Sequence, residues 1–175
     1  IAVATIVGCT VTMAAIVALF WAWWPVVTVL AFFVVSAWHF GREEGYVSST
    51  LAAVSVGGLV IWAAAVFRPA EMSQILAATI PGDGWATATQ IQGITSAAGL
   101  PLLPLGITFA ARESRQNSSP ARQSAAIAVP MVTVLVAATT PILVSFTLYF
   151  CLRHSLLGLR RLRRSEGMNL RQFVT

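Results

Sequence analysis

The sequence predicts an all-α membrane protein, a single polytopic bundle of about six transmembrane helices. Composition is the first indication: 57% of the 175 residues are hydrophobic and only 10% are charged, whereas a soluble domain carries roughly 25% charged residues. The second is that the apolar residues form long runs, as helices that cross a bilayer require. The third is the net charge of +5, which comes from arginines clustered beside apolar runs. Such clusters indicate membrane topology and argue against a nucleic-acid partner.

The first half of the chain contains three predicted spans within one domain, residues 1–175. The first span, 1–24, ends in a cluster of phenylalanine and tryptophan residues typical of a membrane interface. Pro25 suits the first turn of the second span, 26–40. The third span covers 51–67 and is closed by an Arg-Pro pair.

The second half contains three more predicted spans after a moderately apolar segment. This segment, 70–92, predicts a short helix from Ala70 to Ile80, a turn and an interfacial stretch. The fourth span, 91–111, contains two prolines that we expect to break the helix, as membranes tolerate when neighbours satisfy the freed carbonyls. The fifth and sixth predicted spans cover 124–140 and 141–159.

Arginine placement predicts how the chain is oriented. A polar loop, 112–123, and a basic tail, 160–175, hold most of the arginines and are separated by two predicted spans. They therefore lie on one side, which the positive-inside rule makes cytoplasmic. We expect a multi-pass protein of a prokaryotic inner membrane, the cell membrane, with its C-terminus in the cytoplasm.

The two histidines of the chain are the candidate site residues. His39 lies fourteen residues after Pro25, and His154 lies thirteen residues after Pro141. At a rise of 1.5 Å per residue, both lie about 20 Å along helices that run in the same direction. Imidazole is the commonest protein ligand for transition metals, so a shared site would hold a metal or haem. The alternative is that each histidine simply bonds a carbonyl or water near the interface.

The neighbours of the histidines refine this prediction. If the second helix continues through Gly41, Glu43 lies on the same face as His39, where it could orient the imidazole or ligate a metal directly. Alternatively, Glu43 is a solvated interfacial charge that pairs with Arg42. Ser155 is expected to bond a backbone carbonyl rather than act as a nucleophile, because no acid follows at a useful spacing.

The two histidine motifs resemble those of a known family. Ser-Ala-Trp-His-Phe-Gly followed by two acids, residues 36–44, and Tyr-Phe-Cys-Leu-Arg-His-Ser, residues 149–155, are similar to motifs of the Brp/Blh family of integral-membrane β-carotene 15,15′-dioxygenases. Phe67-Arg68-Pro69 resembles the family's central Arg-Pro stretch. The resemblance implies one non-haem iron(II) held by several histidines, and cleavage of β-carotene by O2 into two retinals within the lipid bilayer. By the same resemblance His39 and His154 are iron ligands. The i, i+4 spacing from His39 makes Glu43 the candidate third ligand.

The chain departs from the family pattern at two places. The family's last motif resembles H-S-x-x-H, but the position of its second histidine holds Gly158. A further family histidine lies in an N-terminal G-x-x-H-G segment, so we expect additional sequence before Ile1. Two other functions stay open: a catalytically inactive membrane protein that binds carotenoid or retinal, and an electron carrier with His39 and His154 as axial haem ligands. A transporter is disfavoured because the chain lacks an internal repeat and intramembrane acids.

Overall fold

The computed structural model describes residues 2–43, 47, 49–82, 84–115 and 120–155, and every regular element in them is a helix. This confirms the predicted all-α class. The helices in chain order are α1 (Ala2–Trp23), α2 (Pro25–Glu43), α3 (Thr50–Gly57), α4 (Leu59–Phe67), α5 (Pro69–Thr79), α6 (Gly84–Ser114), α7 (Pro120–Thr139) and α8 (Ile142–Leu148), which continues as a π-helix over Tyr149–His154.

Apolar helices compatible with a membrane protein make up much of this fold. Three described stretches are long and apolar enough to cross a bilayer, namely Thr5–Trp23, Pro25–Glu43 and Gly84–Glu113, and the bent pair α3–α4 makes four if it counts as one span. The predicted six spans are not confirmed. The apolar parts of the last helices, Ile127–Thr139 and Ile142–Leu152, are only about 20 Å and about 17 Å long, less than the ~30 Å of a hydrocarbon core.

The third predicted span, 51–67, is bent by 55° between α3 and α4. At the break, the carbonyl of Val54 accepts hydrogen bonds from the Gly58 N–H at 3.1 Å and from the Trp62 indole N–H at 3.1 Å. The indole is thus a second donor to a carbonyl that the backbone N–H of Gly58 already pairs. This side-chain contact joins α4 to α3 across the bend.

Helix α6 begins earlier than the predicted fourth span and is not broken by its prolines. It runs from Gly84 through Pro101 and Pro104 to Ser114, so the stretch predicted to be interfacial forms its first turns. The short helix predicted from Ala70 to Ile80 corresponds to α5. A side-chain amide on α6 crosses to α4, because Gln92 Nε2 donates to the carbonyl of Ala65 at 3.2 Å.

The core centres on α4, whose residues Leu59–Ala65 are all buried. Helices α2, α6, α7 and α8 pack around it. By contrast, none of the apolar window of α1 is buried, and its partly buried Trp21 packs against the cluster that contains Val29 of α2. An outward apolar surface of this kind is compatible with contact to lipid.

Two glycines bring α2 and α3 into close contact. A methyl group on Gly41 would overlap the carbonyl of Ala53, and one on Gly57 would overlap the carbonyl of Ala37. Gly57 therefore serves helix packing, as small residues do between membrane helices. Ala37 and Gly41 are buried against α3, whereas His39, midway between them in the sequence, is exposed. His39 therefore faces away from α3.

Candidate functional site

His39 and Glu43 lie side by side at the end of α2. The helix continues through Gly41 to Glu43, so the two side chains share a face, and His39 Nε2 lies 3.4 Å from Glu43 Oε1. The His39 side chain is 57% exposed and that of Glu43 is 24% exposed. The carboxylate is therefore placed to orient the imidazole or to bind beside it.

The donor atoms of this pair suit a transition metal. Nitrogen and oxygen ligands that sit at right angles about 2.1 Å from one ion are themselves roughly 3 Å apart, close to the 3.4 Å observed here. Within the part of the chain that the structure describes, no group of three His, Cys, Asp or Glu residues could hold a metal ion. Only the backbone of His154 belongs to that part, and Gly158 lies outside it, so the ligand roles stay predictions.

An aromatic cluster joins the two histidine motifs. The ring of Phe40, which is buried, lies 5.7 Å from that of Tyr149 and 5.1 Å from that of Phe150, measured between centroids. Phe40 directly follows His39, and the π-helix that contains Tyr149 and Phe150 ends at His154. The structure thus brings the two motifs, far apart in sequence, to one end of the bundle.

The π-helix itself marks this region as unusual. It covers Tyr149–His154, and π-helical turns occur frequently at functional sites. The hydroxyl of Ser155 donates to the carbonyl of Phe150 at 3.0 Å. Ser155 therefore bonds a backbone carbonyl, as the sequence predicted.

Glu71 is a positioning residue that the sequence did not single out. Its Oε1 accepts a hydrogen bond from the Ile142 N–H at 2.8 Å, and its Oε2 accepts one from Arg68 Nε at 3.1 Å. The carboxylate thus links the Arg-Pro stretch to the first turn of α8, the helix that leads to His154. The available signal was an acid within a largely apolar chain, since such residues are by default functional or paired.

A cavity of about 330 Å³ lies between α4, α7 and α8. Its lining is largely apolar, from residues Val60, Ala128, Val129, Val132, Thr133, Val136, Ser145, Leu148, Tyr149 and Leu152. Tyr149 belongs both to this lining and to the aromatic cluster around Phe40. The cavity therefore reaches the end of the bundle where the histidine motifs meet, a connection that no periodicity in the sequence indicated.

Comparison with known proteins places this arrangement in a family. The sequence profile of the family described as beta-carotene 15,15'-dioxygenase matches residues 1–174. No curated protein and no solved structure matches the chain. The match extends over almost the whole sequence and includes both histidine motifs, the Arg-Pro stretch and the cavity lining. The chain therefore belongs to the β-carotene 15,15′-dioxygenase family.

Proposed function

We propose that this protein is a membrane enzyme that cleaves β-carotene at its central 15,15′ double bond with O2. One O2 and one β-carotene give two retinals, and each aldehyde takes one oxygen atom, so atoms balance without a further reductant. The family match over residues 1–174 carries the proposal. The meeting of the two histidine motifs through Phe40 and Tyr149 supports it.

Iron(II) would be held by His39, His154 and Glu43 in this proposal. A site of two histidines and one carboxylate leaves open positions, and the iron would supply activation of O2 there. The 3.4 Å separation of His39 Nε2 and Glu43 Oε1 allows two arrangements. Either both atoms face the ion, or Glu43 accepts a hydrogen bond from Nε2 and leaves Nδ1 as the metal-binding nitrogen.

The membrane arrangement belongs to the same proposal. We propose a multi-pass protein of the cell membrane, one domain with six crossings and a cytoplasmic C-terminus, in which the short apolar helices α7 and α8 lie within the bilayer beside the longer ones. The three long apolar helices and the placement of the arginines support it. β-Carotene is a hydrocarbon that dissolves in lipid, so a site inside the membrane would meet its substrate there.

Expression in bacteria that accumulate β-carotene tests the reaction. Cells with the wild-type protein should lose their orange colour and form retinal, whereas cells with His39→Ala should stay orange and form none. Val35→Ala is the matched control, because Val35 lies one helical turn earlier on α2 and is 61% exposed. Retinal output from His39→Ala equal to that of the control would rule out His39 as an essential ligand.

A second candidate function is a carotenoid-binding membrane protein without catalysis. Gly158, which stands where the family motif has a histidine, favours it, because a lost ligand would weaken the iron site. The same cells distinguish the two functions. Binding without cleavage leaves the cells orange, and the pigment purifies with the protein.

A further inference from the structure

We infer that the cavity between α4, α7 and α8 binds one arm of the carotenoid substrate. This inference rests on the proposed function. It adds the location of the substrate and assigns residues of α7 and α8 a role in substrate binding.

The chemistry of the lining selects a hydrocarbon. Beside the apolar side chains, the lining contains Tyr149 and the hydroxyls of Thr133 and Ser145. Thr133 donates to the carbonyl of Val129 at 2.9 Å, and Ser145 donates to that of Ile142 at 2.9 Å. Because both hydroxyl protons are committed to the helix backbone, they are not available as donors to a ligand headgroup. A strongly polar headgroup would lose hydration that this lining, apolar apart from Tyr149 and these two hydroxyls, replaces only in small part, whereas a polyene loses nothing.

The cavity opens toward the surface that a bilayer would cover. Its rim residues Val132 and Leu152 are 55% and 61% exposed, while Val60 at its floor is only 2% exposed. The passage from rim to floor thus runs from the lipid-facing surface of α7 and α8 inward to the central helix α4. A volume of about 330 Å³ falls within the range of small-molecule sites.

One lining residue of the cavity is connected to His39 through the ring of Phe40. Tyr149 lines the cavity, its ring contacts Phe40 at 5.7 Å, and the Phe40 ring lies 5.7 Å from the His39 ring. A carotenoid whose central bond lies at the histidines can place only one of its two equal arms in this cavity.

Filling the cavity from its rim tests this inference. In Val132→Trp the indole occupies the cavity mouth, and in Leu135→Trp it lies on the same helix at a residue that is 61% exposed and outside the lining. Each protein is purified with a chelator, which stops cleavage and leaves binding, and is then titrated with β-carotene. We expect Val132→Trp to bind at least about tenfold less pigment than wild type, which is the size of effect that a changed contact in an apolar pocket produces. Leu135→Trp should bind as much pigment as wild type.

The outcomes separate this inference from the proposed function. Wild-type binding in Val132→Trp overturns the inference and leaves a lipid acyl chain as the occupant of the cavity. Ala128→Trp places an indole in the same lining one helical turn away, and wild-type binding in this variant would likewise overturn the inference. A folding defect in one of the two variants therefore does not decide the result. If wild type binds pigment and Val132→Trp does not, but metal-loaded wild type forms no retinal, the cavity assignment stands and the proposed cleavage fails.

Discussion

Removing the Glu71 carboxylate should loosen the start of the helix that leads to His154. Glu71 joins two distant segments, because it accepts from the Ile142 N–H at 2.8 Å and from Arg68 Nε at 3.1 Å. The N–H groups of a helix's first turn have no intrahelical partner, so the carboxylate satisfies one of them in α8. We compare Glu71→Gln, which keeps an acceptor oxygen but loses the charge, with Glu71→Ala, which loses both.

The magnitudes follow from these contacts. The Arg68–Glu71 pair is partly exposed, with side chains at 31% and 28%, so its loss costs about 0.2–1 kcal/mol. Loss of a negative charge at a helix N-terminus costs about 0.3–1 kcal/mol. Glu71→Gln should therefore lower the free energy of unfolding by about 1 kcal/mol. Glu71→Ala also removes the cap, which adds about 1 kcal/mol and brings the loss to about 2 kcal/mol.

Reversible unfolding in mixed micelles, with a rising fraction of sodium dodecyl sulfate, measures both changes. Gln74→Ala is the control, because Gln74 is an exposed residue of the same helix and its truncation should change stability by less than about 0.5 kcal/mol. If Glu71→Ala proved as stable as Gln74→Ala, the link between α5 and α8 would contribute nothing. Equal losses in Glu71→Gln and Glu71→Ala would assign the effect to charge rather than to the cap.

Three further changes probe other parts of the fold and site. Gly41→Ala should destabilise the protein by about 1–3 kcal/mol in the same unfolding assay, because the added methyl meets a backbone carbonyl of α3. In Gly93→Ala the methyl meets nothing within 4 Å, so this control should stabilise α6 by up to about 1 kcal/mol. Equal effects of the two substitutions would refute the close contact. Trp62→Phe should cost about 1 kcal/mol, since the Val54 carbonyl loses the indole donor at the helix break, and an unchanged unfolding curve would contradict that role. Glu43→Gln should lower both the iron content and the retinal output if the carboxylate ligates the metal. An iron content equal to that of the wild type would leave Glu43 only an orienting role.

Local features of the helices could be predicted from the sequence because their signals are local. Pro25 fixed the start of α2, which begins at that residue. The i, i+4 spacing of His39 and Glu43 predicted a shared helix face, and their side chains lie 3.4 Å apart. Only the end of α2 had to be supplied by the structure, which extends the helix through Gly41.

Features that depend on side-chain contacts between helices, rather than on apolar periodicity, could not be predicted. The bend at Gly58 is stabilised by an indole four residues further along, and apolar periodicity is the same in a straight and in a bent helix. The bond from Ile142 to Glu71 joins residues 71 positions apart. The cavity arises only when α4, α7 and α8 pack together, so no single segment carries a signal for it.

Isotopically labelled O2 offered to the purified, iron-loaded protein with β-carotene tests the central claim most directly. A dioxygenase places one labelled atom in each aldehyde, so we predict two retinals per β-carotene consumed, both labelled and both absent with His39→Ala. Rapid extraction into a reducing trap that converts retinal to retinol limits exchange of the aldehyde oxygen with water. Intact β-carotene in the wild-type reaction, or retinal that forms equally with His39→Ala, would contradict the account.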